Sequence, residues 1–210
     1  MNLRNQAIGS YALEFISEAK AILDTVDVSK IDLMAELIAA IGTAEGRLFF
    51  LGAGGGAGHA GHAVNDFRKI ANIECYAPTD NVSELTARIN DDGFDTSYAN
   101  WLKVSRISSR DGVFIFSVGG GSEEKKISTV LVQALRLAKS VNAKIMGVVG
   151  RDGGFTATVA DACLIVPSFN NATVTPQVES FQAFVWHLLV SHPLVAKNAM
   201  KWESTNAYRA

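Results

Sequence analysis

The strongest constraint on the fold is the alternation of short apolar segments with longer amphipathic segments along most of the chain. Strands that are joined by helices of ten or more residues must run parallel, because the helix returns the chain to the same edge of the sheet. A parallel sheet is covered by helices on both faces, which explains strands that are apolar throughout. The predicted strands are 47–52, 73–77, 112–118, 144–150 and 162–168.

The pattern therefore predicts an α/β protein, an open three-layer sandwich with a five-stranded parallel sheet of Rossmann-like type, preceded by two N-terminal helices. A chain of 210 residues suits one domain, which we expect to span 1–210. We place the N-terminal helices within about 3–45, the sheet and its crossover helices within about 46–191, and a short tail after them. The predicted helices are 10–24, 31–41, 57–71, 83–91, 95–104, 123–140 and 175–191.

Composition and charge exclude several classes of partner. The formal net charge is −2, which does not favour binding to nucleic acid or to an anionic membrane. The apolar run in the last predicted helix, AFVWHLLV, is far shorter than the roughly 20 residues of a membrane span. The N-terminus lacks the apolar core of a secretory signal, so we expect a cytoplasmic protein. Cys75 and Cys163 lie in apolar segments and are interpreted as free thiols rather than as a disulfide or metal pair.

Two glycine loops follow predicted strands, GAGGGAG at 52–58 and SVGGGSEEKK at 117–126. Ligands of parallel α/β sheets bind beyond the carboxyl ends of the strands, and each loop is predicted to open a helix whose N-terminus attracts anions. The alternative is that the glycines only permit tight turns. No acidic residue ends the second strand and no G-K-S/T follows either loop, so the loops fit neither a dinucleotide fingerprint nor a P-loop. A sugar phosphate is the favoured ligand.

Polar side chains also cluster on two predicted helices. His62 and Asp66 are four residues apart, a spacing at which two side chains can share one metal ion or one proton, and His59 falls on the same face as Asp66. On the last helix, Glu179 and His187 are eight residues apart, with Gln182 between them. For either pair alone, the simpler interpretation is a set of capped or solvated polar groups.

Four segments together are similar to those of a known family. GAGGGAGHAGHAVNDF (52–67) resembles the motif GNGGSAADAQHFAAEL, and SELTARINDDGFD (83–95) resembles S-x-x-T-A-x-x-N-D-x-G-F/Y. GVVGRDGG (147–154) resembles a strand and turn ending in G-K/R-D-G-G, and TPQVESFQAFVWHLL (175–189) resembles TPRIQEVHLLLLH. Over about residues 8 to 190 the chain thus resembles the sugar isomerase (SIS) domain family, and within it the phosphoheptose isomerases. The resemblance implies conversion of sedoheptulose 7-phosphate to a heptose 7-phosphate.

The resemblance also implies roles for individual residues. Asp66 matches the catalytic glutamate and would be the base, and His187 matches the histidine that would be the acid, with an enediol between ketose and aldose. Some members hold zinc at four positions, so zinc or another divalent metal is expected at His62, Asp66, Glu179 and His187. The substrate-binding residues implied are Gly54, Gly55, Gly56, Asn90, Asp91, Ser117, Gly119, Gly120, Ser122 and Glu179.

The chain departs from the family pattern at several of these positions. Asp66 is one methylene shorter than the family's glutamate, and a misplacement of about 1 Å costs on the order of 100-fold in rate. Gly56 replaces a serine, Val118 and Gly119 stand where hydroxyl residues are expected, and Ala53 replaces an asparagine. Backbone amides could still hold an anion, helped by Lys125 or Lys126. Two alternatives to the isomerase therefore stay open: a non-catalytic regulatory module that binds a sugar phosphate, and a metal-dependent enzyme acting on a related unphosphorylated sugar.

The two N-terminal helices carry more apolar surface than one sheet edge can cover, which is typical of an interface. Family members of this kind form tetramers with sites between subunits, so we expect a homo-oligomer, a tetramer. The residues concerned are Tyr11, Phe15, Ile16, Ile22, Leu23, Leu33, Leu37, Ile38 and Ile41.

Overall fold

The computed structural model describes residues 8–201 and contains the predicted five-stranded sheet. All neighbouring strands pair in parallel, in the order β2-β1-β3-β4-β5, which confirms the predicted fold class. The predicted start of the first helix near residue 3 and the tail beyond residue 201 lie outside the described residues. The strands are β1 Arg47–Gly52, β2 Glu74–Tyr76, β3 Gly112–Ser117, β4 Lys144–Val149 and β5 Ala162–Ile165.

Helices lie before, between and after the strands, as the alternating pattern predicts. They are α1 Ile8–Thr25, α2 Val28–Thr43, α3 Gly55–Asp66, α4 Val82–Asp92, α5 Phe94–Val104, α6 Thr129–Ser140, α7 Gly154–Val159 and α8 Val174–Ser191. A π-helical turn, Phe67–Ala71, continues α3 and ends at Asn72 in the left-handed conformation.

Alternate side chains of each strand enter one of two cores, which produces the three layers. Leu48 and Phe50 of β1 pack with α2, α3 and α8, whereas Phe49 and Leu51 pack with α5 and α6 on the other face. These four side chains are fully buried. The continuous apolar sequence of β1 is therefore required by helices on both of its faces.

One predicted helix after β3 begins later than expected, and one helix after β4 was not predicted. The helix predicted at 123–140 begins at Thr129, and residues 122–127 form a turn that is closed by two backbone hydrogen bonds between Ser122 and Ile127. Lys126 and Ser128 adopt positive φ angles, 51° and 48°, which interrupt a right-handed helix. The second glycine loop thus leads into a turn and does not open a helix. The short helix α7 was not predicted.

Only some of the apolar residues that were expected to form an interface on the N-terminal helices are exposed. Ile38 and Ile41 of α2 are buried in the core of the same subunit, so they are not available for an interface. On α1, in contrast, Ile16 is 52% exposed and Leu13 is 68% exposed. None of the helices described between residues 8 and 201 is long and apolar enough to cross a membrane.

Candidate active site

The first glycine loop carries the chain from β1 directly into α3 with very little space around it. Gly54 has a φ of +58° and precedes the first residue of α3. A Cβ atom at Gly56 would lie 2.4 Å from the carbonyl oxygen of Phe116 on β3, so a serine could not occupy this position without a shift of the backbone. The N-terminus of α3 is therefore packed against the end of β3.

The second loop is locked to the turn that follows β4. Phe155 and Thr156 of α7 donate their backbone N–H groups to the carbonyls of Gly121 and Gly120, at 2.8 and 3.0 Å. The Thr156 hydroxyl also donates to Gly120, at 2.8 Å. A Cβ atom at Gly120 would lie 1.9 Å from the carbonyl oxygen of Gly153. The glycines of this loop thus allow two backbone segments to touch, and their carbonyls cap α7.

A cavity of about 1000 Å³ opens between these loops, at the carboxyl ends of β1, β3 and β4. The order in which successive strands are added reverses between β1 and β3, and ligands of such sheets bind at this switch point. The cavity is lined by residues of the two loops, of the turn after β4 and of α8: Ala53, Gly56, Ser117, Val118, Gly119, Gly121, Ser122, Glu123, Glu124, Lys125, Ile127, Ser128, Arg151, Asp152, Gly154, Phe155, Thr175, Glu179 and Gln182.

Three of the predicted polar residues form a cluster where α3 meets α8. His62, Asp66 and His187 each offer a nitrogen or oxygen atom within 4.8 Å of those of the other two. The His62 Nε2 atom lies 3.7 Å from Asp66 Oδ2, and the rings of His62 and His187 are 5.5 Å apart. Asn65 donates a hydrogen bond to Asp66 Oδ1 at 2.7 Å. Both histidines are exposed, while Asp66 is partly buried.

Glu179, the fourth residue of the expected metal set, does not belong to this cluster. Its carboxylate lies beside Gly55, where a Cβ atom would be 2.5 Å from Glu179 Oε1, and it lines the cavity. His59 lies between the two groups, within electrostatic range of Glu179 and of both cluster histidines. Burial lowers the pKa of the His59 imidazole, and Glu179 opposes this effect. Glu179 therefore lies on the cavity side, whereas no residue of the cluster lines the cavity.

The predicted substrate-binding residues fall into three groups. Gly56, Ser117, Gly119, Ser122 and Glu179 line the cavity, and Gly54, Gly55 and Gly120 belong to the loops around it. Asn90 and Asp91 lie exposed at the end of α4, do not line the cavity, and are joined by a 2.8 Å hydrogen bond. The catalytic pair, Asp66 and His187, does not line the cavity either.

Sequence reasoning did not assign several residues that line the cavity, among them Arg151, Asp152, Phe155 and Gln182. The segment GRDGG contributes to the resemblance to the family, but no binding role was predicted for it. Its position at the carboxyl end of a predicted strand, next to the two glycine loops, was the signal that could have marked Arg151.

The cluster of three residues fits a divalent metal by its donor atoms. Two imidazoles and one carboxylate suit zinc and related ions, which take nitrogen and oxygen ligands. The Nδ1 atom of His187 lies 2.7 Å from the carbonyl oxygen of Ala183, and a hydrogen bond there leaves Nε2 free to bind a cation.

Known proteins of similar sequence include phosphoheptose isomerases and a protein of lincomycin biosynthesis. The phosphoheptose isomerase of Rhodospirillum rubrum is 32% identical over 151 residues, which are 70% of this chain and 74% of that protein. The lincomycin biosynthesis protein LmbN of Streptomyces lincolnensis is also 32% identical, over 160 residues, and the match covers 71% of this chain but 56% of LmbN. No family model matches the chain.

Solved structures show the same fold. The structure of phosphoheptose isomerase GmhA from Neisseria gonorrhoeae superposes with a TM-score of 0.76 at 22% identity, over 88% of this chain and 98% of that one. A phosphoheptose isomerase from Francisella tularensis gives the same TM-score at 20% identity, over 90% and 97%. The sheet, the glycine loops and these similarities define the class, a sugar-phosphate isomerase with the SIS fold. Within that class, the chain belongs to the phosphoheptose isomerase family.

Proposed function

We propose that the chain isomerises a phosphorylated ketose of seven carbons, sedoheptulose 7-phosphate, to the heptose 7-phosphate. The observation that carries this proposal is the meeting of Asp66 and His187 from two different helices. A carboxylate and an imidazole whose ligand atoms lie within 4.8 Å of each other can act as a base and an acid in proton transfer. Family membership supports the class of substrate.

In the proposed reaction, Asp66 removes a proton from C1 of the ketose and returns it to C2 of the enediol. His187 protonates the C2 oxygen as the enediol forms, and it takes the proton of the C1 hydroxyl as the aldehyde forms. The hydrogen bond from Asn65 holds one oxygen of Asp66, so that the other oxygen is left for this transfer. The hydroxyls of Ser117 and Ser122 and the polar groups of Glu179 would hold the rest of the sugar in the cavity.

His62, Asp66 and His187 are the residues that would hold zinc or another divalent ion, and Asp66 and His187 would have to be released from it to act as base and acid. When bound, such an ion supplies a Lewis acid that polarises the carbonyl of the sugar. Glu179 remains in the proposal as a carboxylate on the substrate side, since its oxygens lie at Gly55. We also propose a homotetramer that is assembled through the exposed apolar side chains of α1.

Isomerisation is tested with sedoheptulose 7-phosphate in deuterated water. The parent should produce an aldose phosphate and incorporate solvent deuterium, and Asp66→Asn should reduce incorporation by at least about 100-fold, because it removes the base and keeps the size of the side chain. Asp66→Glu restores the family's residue and should retain activity. Asp24→Asn, an exposed position on α1, serves as the control. Undiminished exchange by Asp66→Asn would show that Asp66 is not the base.

The metal proposal is tested separately by metal analysis of purified protein. His62→Ala should lower the metal content, whereas His192→Ala, which alters a histidine outside the cluster, should not. Equal metal content in the parent and in His62→Ala would remove His62 from the site. A parent that binds sedoheptulose 7-phosphate tightly but produces neither aldose nor exchange would instead be the regulatory module.

A further inference from the structure

One cation of the cavity is held in a costly backbone conformation. Arg151 has a φ of +55°, the left-handed region, in the turn after β4. A residue with a side chain costs about 1–2 kcal/mol there relative to the right-handed region, whereas Gly153 and Gly154 of the same turn adopt positive φ as glycines. Strain of this kind persists only where the surrounding structure holds the conformation, and it clusters at active sites and ligand-binding segments. Six other described residues with side chains also have positive φ, so the position of Arg151 at the cavity, and not its φ alone, points to a role.

The guanidinium of Arg151 is unpaired in the part of the chain that the structure describes. Within residues 8–201, it makes no hydrogen bond or ion pair. The Cδ atom of Arg151 lies 3.9 Å from the point where a Cβ atom of Gly119 would be, so the chain of methylenes lies over the second glycine loop at the cavity wall. This distance is an ordinary van der Waals contact, so the methylenes of Arg151 pack against the loop without strain.

Lys125 is a second cation of the same wall, in the turn 122–127, and its ammonium group has no partner among the described residues either. Two of the acids that line this wall are already engaged. Glu123 forms an ion pair with Arg136, and Asp152 accepts a hydrogen bond from the backbone of Gly154. The hydrogen bond to Asp152 does not remove its charge, so Arg151 and Lys125 equal in number the described carboxylates without an ion pair at this end of the cavity, those of Glu124 and Asp152.

Two hydroxyls complete the arrangement. Ser117 Oγ accepts a hydrogen bond from the Gly120 N–H at 3.1 Å, and Ser122 Oγ accepts one from the Lys125 N–H at 3.2 Å. Both hydroxyl protons are therefore free to be donated to a ligand. Two cations and two O–H donors match the oxygens of a dianionic phosphate, for which arginine is especially well suited.

We propose that Arg151 and Lys125 are the phosphate-binding residues of this chain and hold the phosphate of its sugar substrate from the side of β4. Their charges act together with the hydrogen bonds that the Ser117 and Ser122 hydroxyls can donate. This inference rests on the proposed function and deepens it, because it specifies a phosphomonoester as the substrate. It also explains how a chain that lacks several of the family's loop hydroxyls could act on a phosphorylated sugar.

The test measures binding of sedoheptulose 7-phosphate, inorganic phosphate and unphosphorylated sedoheptulose by calorimetry. Arg151→Gln and Lys125→Gln should each weaken binding of the two phosphates by about 10- to 100-fold and leave sedoheptulose unaffected, since a hydrogen bond to a charged group is lost. Arg106→Gln and Lys139→Gln are matched controls, because both are exposed cations that do not line the cavity, and Arg106 shares the positive φ of Arg151. The affinities of these two control variants for sedoheptulose 7-phosphate and inorganic phosphate should stay within about twofold of the parent's.

A second variant separates binding from folding. Arg151→Gly should weaken phosphate binding as much as Arg151→Gln does, and its melting temperature should equal or exceed that of the parent, because glycine relieves the left-handed strain. Unchanged phosphate affinity in Arg151→Gln and Lys125→Gln, or a parent that binds neither phosphate ligand, overturns the proposal. If the variants lose phosphate binding while the parent shows no isomerisation, the proposed reaction fails and the phosphate site stands.

Discussion

Asp111 is the most heavily hydrogen-bonded carboxylate among the described residues. It is 2% exposed, lies just before β3, and accepts bonds from the backbone and guanidinium of Arg47 and from the backbone and hydroxyl of Ser108. Burial acts to raise the pKa of Asp111, but the hydrogen bonds from Arg47 and Ser108 outweigh it and lower the pKa. This network ties β1 to β3 at the edge of the sheet opposite the cavity.

Asp111→Asn should lower the free energy of unfolding at pH 7 by about 1.5–3 kcal/mol, because charged hydrogen bonds to Arg47 are lost. Since the folded-state pKa lies below the unfolded value of about 3.9, the contribution of Asp111 is present above about pH 4 and is lost as the pH falls through the folded pKa. Urea unfolding at a series of pH values should show the two proteins converging below about pH 4. Glu84→Gln, which removes a surface ion pair with Arg88, should cost about 0.5 kcal/mol or less.

Residue spacing predicted part of the site and could not predict the rest. The four-residue interval between His62 and Asp66 fixes their proximity on any helix, so this pair was accessible from sequence. The position of Glu179 depends on how α8 crosses α3, and at that crossing its carboxylate meets Gly55 rather than the histidines. The position of Arg151 likewise depends on the packing of the turn after β4 against the loop after β3, which the sequence does not specify.

Among the elements, α3 and the loop after β3 contain glycines of two different kinds. Gly58 lies in the interior of α3, and a Cβ atom added there would have no other atom within 4 Å, so this glycine contributes flexibility without a packing reason. Gly120 lies outside the helices, with a φ of +68° and the Gly153 carbonyl directly in the way of any side chain. Substitution at the two positions should therefore have opposite effects.

Gly58→Ala should raise the free energy of unfolding by about 0.5–1 kcal/mol, because alanine loses less backbone entropy in a helix. Gly120→Ala should lower it by roughly 2–4 kcal/mol through strain and overpacking. Both free energies are measured by chemical denaturation, with one common m-value for the parent and the variants. A Gly120→Ala protein as stable as the parent would mean that the two loops are not in contact in solution.

For the helices and strands, the sequence predicted the existence of an element more accurately than the residue at which it begins. All five strands were predicted, because short apolar runs covered on both faces have few other solutions. The start of α6 was misplaced: the polar stretch SEEKK is compatible with a first helical turn, and only the positive φ angles of Lys126 and Ser128 exclude it. Those angles accompany the contact of Ser122 with Ile127, which no local pattern predicts.

For the whole molecule, the proposed assembly concerns the surface that α1 presents. Leu13, Ile16 and Leu23 are exposed and recur at helical spacing along one stripe of α1, whereas Ile22 is buried against the subunit's own core. A stripe of this kind is costly in water and is typical of an interface between copies.

Ile16→Glu should convert the proposed tetramer to smaller species, because a carboxylate at the centre of the stripe would have to be buried without a partner. Sedimentation velocity at micromolar concentration measures the change. Glu14→Lys alters the charge of α1 outside the stripe and should leave the assembly intact. A parent that sediments as a monomer would refute the tetramer itself.

The contact between the loop after β3 and the turn after β4 has a consequence for how this enzyme can diverge. Gly120 and Gly154 each leave room for the backbone opposite them, so neither position can acquire a side chain on its own. Mutation and selection can therefore act on the cavity wall mainly through residues 122–128 and 151–152, most of which line the cavity with their side chains. We expect descendants of this chain to change their sugar specificity through those two short segments, while Gly120 and Gly154, which flank them, are inherited unaltered.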